Sequence, residues 1–314
     1  MGVKEELAKY KPEKDTLLTI GVFDGVHLGH KHLISELKER ARKQNLMSGV
    51  VTFRRHPQDV LSPKTRLPYL TDLEQRVNLL KNEGVEVVVA LSFTPELAKL
   101  GVREFVSLLK EYLRMRGLVV GPDFALGRNR GGDVNTLRTL GKEINFSVAV
   151  VSPVMINGGV VSSTAIRKAL ADGNMKKVHN LIGRLFSLHG RVVSGTGRGR
   201  ELGFPTANLG VSPGQALPAD GVYATRAYIS DKTYQSVTSI GTRPTFDGKE
   251  RVVEVYILDY NGNLYGQELK IDVVERLRGE ERFKTVDELK KKMAEDVKQG
   301  RAVLNSKKQG TSYG

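Results

Sequence analysis

The chain has 314 residues, 39% of them apolar and 27% charged, which suits a globular protein long enough for two hydrophobic cores. It contains no cysteine, which excludes disulfides, thiolate chemistry and cysteine-ligated zinc. A formal net charge of +14 favours anionic partners, a class that covers nucleic acid, acidic lipid and phosphorylated small molecules.

The opening stretch MGVKEELAKYKPEKD places charges where a signal peptide needs an apolar core, and Glu6 stands where a myristoylation signal needs Ser or Thr. The longest apolar run, VEVVVALSF at 85–93, is too short to span a bilayer. A cytoplasmic location without a membrane partner is the expectation.

Apolar runs at 16–22, 47–53, 85–92, 117–121 and 146–151 read as buried strands. Helical patterns fall between them. Leu33, Leu37 and Ala41 share one face, TDLE at 71–74 reads as a capping box, and Val102, Phe105, Val106, Leu109 and Leu113 make an apolar stripe. This alternation predicts an α/β domain, a parallel sheet with helices on both faces. Two short helices follow, at about 163–171 and 174–182. From 186 onward come strand-like runs with short turns: FSLHGRVV, GVYATRAYIS, TYQSVTSIG, RVVEVYILDY and ELKIDVVER. YNGN at 260–263 is a hairpin signal, and a helix at about 285–299 opens with the capping box TVDE. These elements predict a small C-terminal β-barrel with a closing helix. The expected domains are 1–184 and 185–304, with 305–314 as a disordered tail.

GVFDGVHLGH at 21–30 follows the first strand and opens the first long helix. In an open parallel sheet, ligands bind past the C-terminal strand ends. Gly21 and Gly25 let the backbone turn there, and a helix N-terminus offers free amides to phosphate. His27 and His30, three apart in the first turn, can face the same anion. The alternative is an ordinary capped helix with incidental histidines.

HLGH resembles the H-x-G-H signature of the nucleotidyltransferase superfamily, and GVFDGVHLGH resembles its flavin-adenylylating branch. The resemblance implies a Rossmann-like domain in which Gly21, Phe23, Asp24, Gly25, His27 and His30 bind ATP. His27 and His30 would contact its phosphates and stabilise the pentavalent transition state by positioning and electrostatics, without a covalent intermediate. In VSSTAIRKAL, Ser162, Ser163 and Thr164 stand at another helix start, with Arg167 one turn in. Alone they read as a Ser/Thr cap; paired with H-x-G-H, SSTAIR resembles the superfamily's second phosphate motif. VVGPDFALGRNRGGD at 119–133 resembles a segment that holds the flavin nucleotide, which makes Asp123, Phe124 and Gly127, together with His56, candidate FMN contacts. Read by itself, the stretch is a Gly-rich loop. One departure is FRRHP, where the family has F-x-P-H-P: His56 and Pro57 match, whereas Arg54 and Arg55 either strengthen phosphate attraction or are simply exposed.

In the second half, SGTGRGRELGFPTANLG at 194–210 is pliable and cationic through Gly195, Gly197, Arg198, Gly199, Arg200 and Gly203. It lacks the GxxxxGK[ST] of a P-loop, and composition alone would suit a nucleic-acid arm or a linker. PTAN at 205–208 resembles the riboflavin kinase signature, and 187–300 resembles that barrel. The resemblance makes the segment through Pro205 an ATP-binding loop, with Thr206 and Asn208 as oxygen ligands of the Mg²⁺ of MgATP. Glu254 is the lone acid of RVVEVYIL, a strand whose two faces both read as apolar, and the family places its catalytic acid at this match. A structural ion pair is the competing role. LRGEERF at 277–283 resembles a lid near the flavin, with Arg278 as its candidate contact.

The resemblance covers about residues 15–300 and is to bifunctional riboflavin kinase/FAD synthetase. It implies phosphorylation of riboflavin to FMN and adenylylation of FMN to FAD, with ATP, riboflavin and FMN as small-molecule partners and no nucleic acid. The rivals are a basic nucleic-acid binder, whose affinity would collapse with salt, and an adenylyltransferase with another acceptor. Oligomeric state is left open.

Overall fold

The computed structural model describes residues 2–62, 67–195, 197–245 and 248–306. Contacts divide the chain into two compact units, Met1–Ser163 and Thr164–Gly314.

The strands of the first unit are β1 (Thr16–Ile20), β2 (Met47–Phe53), β3 (Val87–Leu91), β4 (Met115–Val120), the short pair β5 (Ala125–Leu126) and β6 (Gly132–Asp133), β7 (Ser147–Val150), and the short pair β8 (Met155–Ile156) and β9 (Gly159–Val160). Its helices are α1 (Val3–Leu7), α2 (Leu28–Lys43), α3 (Pro57–Leu61), α4 (Leu73–Asn82), α5 (Pro95–Lys99), α6 (Val102–Leu113) and α7 (Val134–Ile144). The main sheet is parallel in the order β3-β2-β1-β4-β7. The chain winds outward from β1 through β2 and β3, then returns to β1's other side with β4. The C-terminal end of β1 is therefore the switch point, where a crevice opens.

Period-two alternation splits the sheet's apolar residues between two cores. Leu17, Val50 and Val119 meet Ile34, Leu37 and Ala41 of α2. Leu18, Val51, Val89 and Leu118 meet Phe105, Val106, Leu109 and Leu113 of α6. The expected capping box at 71–74 does not form, and the cap lies one residue later. Asp72 is the N-cap of α4 and accepts from Gln75 N at 2.8 Å. The Thr71 hydroxyl is taken instead by the amide of Gly25, at 3.0 Å.

The second unit begins with α8 (Ser163–Ala171, its first residue lying in the first unit) and α9 (Met175–Ile182), followed by β10 (Phe186–Val193), α10 (Arg198–Glu201), β11 (Ala207–Val211), β12 (Gly221–Ile229), β13 (Lys232–Thr245), β14 (Gly248–Ile257), β15 (Glu268–Arg278) and α11 (Val286–Ser306). Antiparallel pairing closes a barrel in the order β10-β11-β14-β13-β12-β15, with β15 returning to β10. Tyr223 and Thr225 of β12 are buried beside Thr238 and Val255, and the Thr225 hydroxyl meets those of Ser236 and Thr238 at 2.7 Å each. The alternate residue Ala224 packs with Val274 and Leu304, under α11.

YNGN does not form a hairpin. β14 pairs with β11 and β13, β15 with β10 and β12, and residues 258–267 cross between non-neighbouring strands. Barrel closure outweighs the local turn preference. Helix α11 runs through the buried Gly300 to Ser306, past the expected stop and into Asn305 of the expected tail; residues 307–314 lie outside the described residues. Thr285 caps it by accepting from Glu288 N at 3.2 Å, whereas the Glu288 carboxylate accepts from Lys284 N at 2.9 Å, one residue early for a capping box. Among the described residues no helix is long and apolar enough to cross a membrane.

Helices α8 and α9 are tied to the barrel. Leu170 O accepts from Ala219 N at 2.9 Å, a His179 ring nitrogen bonds Val273 O at 2.9 Å, and α9 buries Met175, Val178, Leu181 and Ile182. Burying each such side chain is worth roughly 1.5–3 kcal/mol. A fragment starting at Thr164 is thus expected to melt about 10 °C or more above one starting at Leu185. Coincident thermal transitions would show that the two helices add nothing.

Candidate active sites

Loop 21–27 leaves β1 and enters α2 at the switch point. Gly25 has φ +82°, a left-handed conformation, and an added Cβ would lie 2.8 Å from Leu70 Cδ1. Phe23 and Val26 also take positive φ, 53° and 37°. A β-branched residue there is strained, and strain persists only where the surroundings over-determine it. Buried Asp24 supplies much of that constraint: its carboxylate accepts from Leu70 N at 3.0 Å and Thr71 N at 3.1 Å.

His27 is the N-cap of α2, with Nδ1 accepting from His30 N at 3.3 Å. A neutral ring so engaged carries its proton on Nε2. The two imidazoles stack with centroids 3.6 Å apart, and His30 sits 5.0 Å from the Phe23 ring. His30 Nδ1 is enclosed without a partner among the described residues. Burial, then the neighbouring His27 and the Arg76 guanidinium, holds the His30 pKa well below the ordinary imidazole value, so this ring is neutral at pH 7.

The segment after β7 reaches the same loop. Ser163 Oγ donates to Asp24 O at 2.8 Å, and Val161 O lies 3.2 Å from where a Cβ on Gly29 would stand. Ser162 directly precedes α8, and Thr164 and Arg167 follow along that helix. His56 leaves β2 on the same sheet edge and caps α3, its Nδ1 accepting from Gln58 N at 3.1 Å. Arg54 and Arg55 are exposed there. After β4 the chain forms the β5–β6 hairpin; Asp123 is exposed, Phe124 packs on the core below, and Gly127 turns at φ +75°. The parallel sheet thus brings loop 21–27, His56, Asp123 and Ser162 to one edge.

The second site is a cavity of about 670 Å³ on the barrel, covered by α11. Within the segment expected to be pliable, Arg198–Glu201 make a helical turn, and Phe204 N donates to Gly199 O at 2.8 Å. Gly195 passes so close that a Cβ would fall 2.1 Å from Asn208 Nδ2. Gly203 turns the chain out of α10 at φ +85°. Gly197, Gly199, Arg200, Pro205, Thr206, Asn208 and Glu254 all line the cavity; the side chain of Arg198 lies outside the described set.

Strand register explains the convergence. Asn208 pairs with Glu254, Glu254 with Ser239, Ser239 with Val222, and Val222 with Arg278. Directly paired residues share a face, so one row of side chains crosses five strands and opens into the cavity. The face carrying Glu254 is not sealed, contrary to the apolar look of RVVEVYIL. Val253, Val255 and Ile257 are buried, whereas Val252, Glu254 and Tyr256 are half-buried, the last two lining the cavity. A second cavity of about 600 Å³ shares Arg200, Pro205 and Thr206 and is bounded by residues of the 260–265 segment.

Two charged residues escape sequence reasoning. Asp296 is buried in α11, lines the cavity, and grips Arg278 at 2.8 and 2.9 Å. Burial works against the Arg278 charge, but this fork holds its pKa above the ordinary value. Asp296 interrupts the apolar stripe Leu289, Met293, Val297, Gly300, Leu304, a signal visible in the sequence. Arg76, wholly buried in α4, leaves no such trace.

Residues 9–165 match the family model described as FAD synthetase, and residues 182–304 the one described as riboflavin kinase. A bifunctional riboflavin kinase/FMN adenylyltransferase of Escherichia coli strain K12 is 38% identical over 91% of each chain. The protein of the same name from Haemophilus influenzae is 33% identical over 92% of this chain and 94% of its own. That from Pseudomonas fluorescens is 36% identical over 96% and 98%. A crystal structure from Streptococcus pneumoniae, described as a macrolide-efflux protein, superposes with TM-score 0.87 at 33% identity, covering 94% of this chain and 96% of that one. With both halves matched in this order and curated relatives aligned over more than nine tenths of their length, the chain belongs to the bifunctional riboflavin kinase/FAD synthetase family.

Proposed function

We propose that the chain makes FAD from riboflavin at two sites. The barrel transfers the γ-phosphoryl group of ATP to riboflavin, giving FMN. The N-terminal domain transfers AMP from a second ATP to FMN, giving FAD and pyrophosphate. The working domains are 1–184 and 185–304, because the SSTAIR motif at the start of α8 serves the first site although α8 and α9 pack on the barrel.

The observation that carries the kinase reading is the row Asn208–Glu254–Ser239 opening beside Thr206 into a cavity sized for one small ligand. The Glu254 carboxylate takes the proton of the ribityl hydroxyl as that oxygen attacks the γ-phosphorus and ADP leaves. Arg200, Pro205 and Thr206 border both cavities, where the two substrates would meet. Thr206 and Asn208 present neutral oxygens, a donor set that suits Mg²⁺ when phosphates supply most of the charge. Bound there, Mg²⁺ would neutralise the polyphosphate.

In the N-terminal site, the amides at the start of α2 and the two imidazoles face the triphosphate, while Gly21, Phe23 and Gly25 shape the cradle. The His27 Nε2 proton is offered to the phosphate of the transferring adenylyl group, and neutral His30 stacks behind it. Asp24 acts on the loop's shape. Ser162 and Ser163 bring hydroxyls to this loop, and Thr164 and Arg167, the rest of the motif, are assigned to the same ATP. His56, Asp123, Phe124 and Gly127 are assigned to FMN by their place on the sheet edge. The excess positive charge serves polyanionic substrates in the cytoplasm, with neither nucleic acid nor membrane as partner. The efflux described for the pneumococcal neighbour is not carried over, because both family models and the curated relatives named above point to flavin chemistry.

The test is to incubate the protein with riboflavin, ATP and Mg²⁺ and separate the flavins. FMN is expected first and FAD after it, and chelation of the metal should stop both. Riboflavin returned unchanged would sink the reading.

A further inference from the structure

Arg76 is among the largest fully enclosed side chains of the chain, 1% exposed. A buried guanidinium is costly unless it is paired or has a task. Among the described residues, its hydrogen bonds run to main-chain carbonyls: Nη1 donates to Val22 O at 2.9 Å and Nη2 to Phe53 O at 2.7 Å, while Nε has no partner. Val22 lies in the loop between β1 and α2, and Phe53 ends β2. Val22 O also accepts from Thr52 Oγ1 at 2.9 Å, so this carbonyl is held twice. The next residue is Phe23, the first of the loop's two strained side-chain-bearing positions. Arg76 stands one turn into α4, whose start is tied to the same loop through Thr71 and Asp24.

We propose that Arg76 is a positioning residue of the adenylylation site: its guanidinium clamps the Val22 carbonyl to the end of β2, keeps loop 21–27 in the shape that presents His27 and His30, and sets a fixed positive charge behind the site. This rests on the assignment of loop 21–27 to adenylyl transfer. Arg76 touches no reacting atom in this arrangement; it acts through the loop and through His30. A charge in a low-dielectric interior is screened far less than one at the surface, so it acts on the phosphates and the imidazoles together. His30 faces His27 and Phe23 from its own segment and Arg76 from α4, and the Arg76 charge is itself faced by Asp24, Tyr69 and Asp72. The Arg76 charge disfavours protonation of His30; removing it raises the pH at which that ring charges.

The test uses full-length Arg76→Met and Arg76→Lys. FMN and ATP are supplied, and kcat and KM for ATP are measured across the range in which an imidazole titrates. Riboflavin phosphorylation on the same sample is the control, since Arg76 is remote from that machinery in sequence and unit. Arg76→Met is expected to lose roughly 10²–10³ in adenylylation kcat with little change in KM, by analogy with removing one preorganised donor. Its acid limb should move to higher pH, and Arg76→Lys should recover part of the rate by restoring the charge without the two-carbonyl bridge. A folded Arg76→Met with wild-type kcat and pH profile overturns the proposal. If Arg76→Met does not fold, Arg76→Lys decides: wild-type kcat there overturns the clamp, and a lowered kcat at unchanged kinase rate upholds it. His27→Ala, run alongside, separates the two levels. Normal adenylylation in His27→Ala removes the site assignment, whereas an inactive His27→Ala beside a normal Arg76→Met removes only the role of Arg76.

Discussion

Glu254→Gln is expected to lower the riboflavin kinase rate by roughly 10²–10⁴, the span general-base catalysis covers, while added FMN is still converted to FAD. The substitution keeps the shape of the side chain in its row between Asn208 and Ser239 and removes its basicity. The competing role is a structural ion pair, whose disruption in a buried setting costs about 3–5 kcal/mol. That outcome would show as a lowered melting temperature with near-normal turnover in the cold. Glu254 is half-buried beside a cavity, so the catalytic outcome is expected to dominate and the melting temperature to move little. Wild-type turnover in folded Glu254→Gln would leave Thr206 and Asn208 as the supported kinase residues.

The second large effect is at the paired histidines. His27→Ala and His30→Ala should each cost on the order of 10²–10³ in FAD formation and leave FMN formation intact. His27→Ala also removes the cap of α2, so its helix start should fray, and the kinase control reports whether the rest of the chain is unaffected. Stability has a signed pH dependence here. His30 is depressed in the folded chain, chiefly by burial, while the unfolded chain takes up that proton near about pH 6.5. Below that value the unfolded state binds more protons, so stability is intact above it and declines as pH falls. In His30→Ala this decline should flatten; an unchanged slope of melting temperature against pH would show that His30 does not drive it.

Much of the site was legible because its signals are short. Two histidines around a glycine after an apolar run need only the strand-to-helix junction to converge, and that junction is where the sequence reading puts it. The apolar stripes of α2 and α6 obey helical period and meet the predicted sheet. PTAN and the acid of RVVEVYIL are each local, and the barrel register sets Asn208 directly opposite Glu254.

What stayed hidden depends on partners distant in the chain. Thr71 reads as a cap, yet its hydroxyl is claimed by Gly25 across 46 residues, so Asp72 caps the helix. YNGN reads as a hairpin, but its flanking strands have other neighbours once the barrel closes. Helices α8 and α9 lie within the expected first domain, 1–184, and yet group with the barrel: α9 buries its apolar face there, and Leu170 O of α8 accepts from Ala219 N. Arg76 lies in a helix of which the sequence reading marked only the start, and the approach of the β1 and β2 strand ends makes it a buried clamp. Chain-local physics sets periodicity, turn chemistry and motif spacing, and these were sufficient for the fold class; the two chemistries came from the resemblance of the motifs to a known family. Which carbonyl a buried cation meets, and which side chains share a row across five strands, follows from packing between distant segments, whose register no short stretch encodes.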